Sequence, residues 1–223
     1  MMSCPRHPLA AAHAGHCPAC LLEGAFIEPE AAEGSRRREL TILIPLGRSP
    51  GSAVFLVREQ GGLGRLMRLK TWDRPAPPGF LTEFERLRTR LDPWRGGGVE
   101  VPEAAALDAG GRAFVLSGFR RGTPIAGQVC TGRLDAGRAA GFLRALAAST
   151  AQAHAAGLVH GAIGPGNVMS DGRSAFLLDF GLRAIVSPPD AGRASASADL
   201  EGFEALERGV LHAVPSGARL QAL

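Results

Sequence analysis

The sequence predicts an α+β fold with its strands early and its helices late, on three observations. Residues 40–47 (LTILIPLG), 53–59 (AVFLVRE) and 65–72 (RLMRLKTW) are apolar, β-branched runs separated by glycine-bearing turns, the pattern of antiparallel strands. Residues 80–91 (FLTEFERLRTRL) set Phe80, Phe84, Leu87 and Leu91 at helical spacing. Residues 139–160 form a long Ala/Leu-rich segment, made of residues that favour a helix.

Bulk properties bound the rest. A chain of 223 residues with 45% hydrophobic content can bury a substantial core. No apolar run approaches the ~18 residues that span a bilayer, and polar residues interrupt the first segment, so no signal peptide is read. A cytoplasmic setting with reduced thiols is expected. The net charge is +4, but the basic residues are dispersed. Arg36–Arg38, the one run of three, reads as a solvated linker, and no nucleic-acid partner is expected. Of 25 basic residues, Lys70 alone is lysine. Arginine and lysine differ where a compact point charge is needed, so this position is singled out.

Three segments follow in order. Residues 1–22 hold Cys4-x2-His7 and, nine residues on, Cys17-x2-Cys20. Two close pairs of thiolate and imidazole donors suit one tetrahedral Zn²⁺ of structural type. His13 and His16 are alternatives to His7. The module is similar to short zinc knuckles. Residues 23–38 are a polar linker, and a single larger domain occupies 39–223. Cys130, alone, reads as an inert thiol.

Within that domain, the first strand turns into GRSPGSAV (47–54), the second is joined to the third by a Gly-rich turn, and Lys70 closes M-R-L-K. The helix of 80–91 comes next. Residues 99–108 and 112–119 read as two further strands around an Ala-Gly-Gly turn, and 198–214 as a last helix. Between the two late helices lies GLVHGAIGPGNVMSDGRSAFLLDFG (157–181). His160 is followed seven residues later by Asn167, then by Asp179-Phe180-Gly181.

On these residues the chain resembles the protein kinase family, of bacterial serine/threonine type. That family carries H-R-D-L-x-x-x-N before D-F-G, and a strand V-A-I-K. The resemblance covers about 40–214 and implies a bilobal kinase-like fold. An antiparallel β N-lobe with the helix called αC would occupy about 39–119. A helical C-lobe would occupy about 120–223 and stop after the helix called αF, with Asp199 supporting the catalytic loop.

The resemblance also assigns a site. Gly47 and Val54 match the first Gly and the Val of the phosphate loop, whose other glycines are Ser49 and Ser52. Lys70 would contact ATP phosphates, with Glu83, or else Glu85, as its ion-pair partner. Leu116 would be the gatekeeper beside the base. Asn167 and Asp179 would hold Mg²⁺. The departures are equally specific. Ala162 stands at the catalytic Asp, Gly164 at the loop Lys, and no A-P-E follows D-F-G. Asp171 is too far along the chain to rescue the base. Arg68 replaces a small Ala on the face of Lys70, where it either fills the adenine pocket or stacks on the base. Ser195 and Ser197 lie in a linker-like stretch.

A pseudokinase follows: a signalling module that binds nucleotide, a protein partner, or both. The alternatives are a weakly active ATP-dependent serine/threonine kinase and a scaffold remnant that binds no nucleotide.

Overall fold

The computed structural model describes residues 40–60, 64–187 and 194–212. The zinc quartet Cys4, His7, Cys17 and Cys20 and the linker fall outside them. The chain divides into two compact units. One takes residues up to Thr82 with Pro102–Phe119, and the other takes Glu83–Val101 with the residues from Arg120 on.

The first unit is a five-stranded antiparallel sheet in the order β1-β2-β3-β5-β4. The strands are β1 (Leu40–Ser49), β2 (Ser52–Glu59), β3 (Leu66–Pro75), β4 (Ala104–Leu107) and β5 (Arg112–Gly118). Pro50-Gly51 joins β1 to β2, with Ser49 paired to Ser52. Alternation then sorts side chains by face. Phe55, Val57, Met67, Leu69, Phe114 and Leu116 form one buried apolar cluster. Lys70 pairs with Val54 and Val115, on the other face. The strand expected over 99–108 begins only at Ala104. Val99 instead makes an isolated parallel bridge to Leu177, and Pro102 has no N–H for a ladder.

The turn between β4 and β5 is organised by Asp108. Its Oδ1 accepts from the N–H groups of Gly110 (2.9 Å) and Arg112 (2.8 Å), and its Oδ2 from Arg112 Nε (2.7 Å). Burial pushes this carboxyl up, but the Arg112 guanidinium and these N–H groups outweigh it and hold it below its ordinary range.

The second unit contains most of α1 (Phe80–Leu91), then α2 (Ile125–Cys130), α3 (Ala136–Ala155), α4 (Leu182–Val186) and α5 (Ala196–His212). It also holds a small sheet, β6 (Thr123–Pro124), β7 (Val168–Ser170) and β8 (Ala175–Leu177), in that order. Helix α3 starts earlier than the apolar pattern suggested because Asp135 caps it, accepting from Arg138 N–H at 2.9 Å. It ends at Gly157, whose φ is +71°. Gly157 N–H reaches His154 O (2.8 Å) and Leu158 N–H reaches Ala153 O (2.9 Å), the paired bonds of a Schellman stop. A left-handed residue is needed here, and glycine adopts it without strain. This stop turns the chain directly into the loop that begins at His160.

Asp108→Asn tests the β4–β5 turn. A carboxyl held low in the folded state contributes its full stability above the ordinary Asp value of about 3.9 and loses it as pH falls through the folded value. The variant should unfold on the order of 2 kcal/mol more easily at pH 7. Urea titrations across pH should show that gap closing below about pH 4.

Candidate functional site

The loop from His160 to Asn167 is built on one buried carboxylate. Asp199, in the first turn of α5, is fully buried. Its Oδ2 accepts from His160 N–H (2.8 Å) and its Oδ1 from Gly161 N–H (2.8 Å). His154 Nε2, from α3, lies 2.9 Å from Oδ2. Two backbone donors and one imidazole thus surround an acceptor that would otherwise be costly to bury. The role assigned to Asp199 from the sequence is the one it has here. His154 was not foreseen. Its signal was a lone imidazole in an Ala/Leu helix, six residues before His160.

His160 is itself fully buried and faces inward. Its Nδ1 accepts from Ala162 N–H (3.2 Å), and its Nε2 faces Leu178 O (2.9 Å). A carbonyl only accepts, so the proton sits on Nε2. The ring meets Phe180 edge-on, with centroids 5.1 Å apart, a favoured aromatic geometry. Phe180 is fully buried. The next residue, Gly181, is pressed against α1. A Cβ there would lie 2.7 Å from Leu87, and its φ is +72°. Any other residue at 181 would be strained twice.

Asn167 connects the loop to the following turn. Its Nδ2 donates to Ala162 O (2.7 Å), and its own carbonyl accepts from Leu178 N–H (2.9 Å). The amide nitrogen is therefore occupied, and the amide oxygen is the atom left for a metal. Asp179 is 6% exposed and is the one non-glycine residue with positive φ, +62°, among the described residues. Such a conformation persists only where its surroundings impose it. Ala162, at the position where the resemblance expects a catalytic Asp, has no side-chain acceptor. Asp171 cannot replace it, being used by the β7–β8 turn. It accepts from the N–H groups of Ser174 (2.7 Å) and Arg173 (2.8 Å), which hold its carboxyl below the ordinary range.

In the sheet unit, Lys70 Nζ lies 5.3 Å from the centroid of the Trp72 ring, two residues along β3. Gly47 and Val54 are paired across β1 and β2. Val54 is the neighbour of Lys70 in register. Arg68 is 7% exposed, so it is withdrawn from solvent. It pairs with Leu56 and Ser117.

Two expectations need correction. Leu116 is opposite Leu69 and belongs to the apolar cluster, on the face away from Lys70. The β5 residues on the face of Lys70 are Val115 and Ser117, because a shift of one residue reverses the face. The Ser117 hydroxyl is buried with no hydrogen-bond partner. Glu83 pairs with Arg86, and Glu85 with Arg88 (2.9 Å), both within α1 and both half exposed. Glu100 is buried, and its Oε2 accepts from Asp179 N–H at 3.3 Å.

No protein-family model matches the chain. The chain is 30% identical over 164 residues to the serine/threonine-protein kinase pkn2 of Myxococcus xanthus. The alignment takes in 69% of this chain and 19% of that protein, so the chain spans about a fifth of its relative. The mixed architecture, with an antiparallel sheet followed by helices, is compatible with a kinase-like fold, and the similarity supports a kinase-like domain. Among the described residues, no helix is long and apolar enough to cross a membrane.

Asp199→Ala should leave two buried N–H groups unsatisfied and cost about 3 kcal/mol, read by chemical denaturation. Gly181→Ala should cost about 2 kcal/mol from backbone strain and collision with Leu87.

Proposed function

We propose that this chain is a pseudokinase: a kinase-like module that binds nucleotide and a protein partner in signalling without efficient phosphoryl transfer. The observation that carries the reading is the state of the loop. Asp199, His160 and Asn167 hold its backbone at His160, Gly161 and Ala162, yet the residue at its centre is Ala162. A loop that had merely decayed would have no reason to keep these bonds.

The division of labour follows from the chemistry. Lys70 would supply a compact cation to the phosphates. Asn167 and Asp179 both offer oxygen donors, the hard ligands that Mg²⁺ prefers, and the Asn167 nitrogen is already engaged by Ala162 O. When bound, Mg²⁺ would neutralise phosphate charge. Ala162 accepts no proton from a substrate hydroxyl, and Gly164 supplies no cation. Loss of a positioned base typically lowers a rate by ~10²–10⁴-fold. Cys4, His7, Cys17 and Cys20 would hold a structural Zn²⁺, measurable as bound zinc in the purified chain.

A weakly active serine/threonine kinase is the second reading, favoured by the similarity to pkn2. A scaffold that binds no nucleotide is the third, favoured by the burial of Arg68.

A thermal-shift titration with ATP and Mg²⁺ separates these readings. At a hundredfold excess over Kd, a ligand that binds only the folded state should add about 2.7 kcal/mol, and Lys70→Ala should lose that shift. No shift in the wild type at millimolar ATP would leave the scaffold. Ala162→Asp should raise phosphoryl transfer at least ~10²-fold if the rest of the site is competent.

A further inference from the structure

The turn that carries Asp179 is held by a chain of backbone bonds. Leu177 N–H donates to Gly98 O (2.7 Å), and Leu177 O accepts from Glu100 N–H (2.8 Å). Leu178 N–H donates to Asn167 O (2.9 Å), and Leu178 O faces His160 Nε2 (2.9 Å). Leu182 N–H donates to Asp179 O (3.2 Å). Within this set, one backbone N–H is satisfied by a side-chain carboxylate: that of Asp179, by Glu100.

Glu100 is placed for this by its own backbone. Val99 bridges Leu177, and the Glu100 N–H is bound to the same residue, so the carboxylate starts from a fixed point two residues before Asp179. Both residues are 6% exposed. Two acids buried side by side are unfavourable unless each has a role. The acceptor oxygen satisfies an N–H that would otherwise be buried unpaired, and it acts here on the residue whose φ is +62°.

We propose that Glu100 is a positioning residue for the metal-ligand aspartate. Its carboxylate fixes the left-handed backbone of Asp179 and so sets the affinity of the site for a divalent cation. The inference rests on the reading of Asn167 and Asp179 as Mg²⁺ ligands. A group that orients a ligand typically alters metal affinity by ~10–100-fold when removed.

The test uses the full chain, Glu100→Gln, which keeps an acceptor oxygen, and Glu100→Met, which fills the volume without one. Mg²⁺ is titrated at fixed ATP and followed by thermal unfolding, and amide exchange is measured over residues 176–182. Glu100→Met should weaken the apparent Mg²⁺ affinity ~10–100-fold and expose the Asp179 amide to exchange. Glu100→Gln should stay within about threefold of the wild type, with the amide protected. Equal affinity in Glu100→Met and the wild type would overturn the proposal while leaving the nucleotide reading intact. Equal losses in both variants would overturn it too, since charge rather than the acceptor would then matter. A wild type with no Mg²⁺ response would refute the metal reading, and the proposal with it. Should Glu100→Met not fold, a wild-type Asp179 amide that exchanges at the unprotected rate would still overturn the proposal.

Discussion

The buried carboxylate of Asp199 is the constraint on which the loop depends. It is the common acceptor for two successive backbone N–H groups and faces an imidazole from a different helix. A backbone N–H buried without an acceptor costs about 1–3 kcal/mol, so the loop and the two helices around it are specified together. Helix α3 contributes His154 and a Schellman stop that delivers the chain to His160. Helix α5 contributes Asp199 in its first turn.

From that anchor, order passes along a short series of contacts. His160 is fixed by its backbone to Asp199 and through its ring to Ala162 and Leu178. Its edge meets Phe180, and Gly181 fits against Leu87 because it has no side chain. Asn167 ties the other end of the loop to Leu178. The arrangement maintains one tautomer, one ring orientation and one positive-φ aspartate around a position occupied by alanine. Maintenance of that geometry without the acceptor is what favours a binding role over rapid turnover.

The sheet unit shows a different logic. One face is a closed apolar cluster, and the other carries Lys70, Arg68 and a buried serine hydroxyl. Arg68 lies two residues from Lys70 on the same face of β3 and is buried. Ser49 and Ser52, whose hydroxyl oxygens are 2.6 Å apart, close the end of the β1–β2 hairpin, where Pro50 offers no donor.

The sequence by itself determined the elements whose signals are local. Strand alternation set β1–β3, helical spacing set α1, and the His160–Asn167–Asp179 spacing located the loop together with its missing acid. Asp199 was legible because residues 198–214 resemble the family's αF helix, which carries an aspartate there. Only the tertiary structure decided the rest. The face of Leu116 depends on strand register, where one residue reverses inside and outside. The burial of Glu100 depends on the bridge between its neighbour Val99 and Leu177, 78 residues apart in sequence. The strand register and the bridge are pairings between segments, and neither periodicity nor motif spacing within a segment contains them.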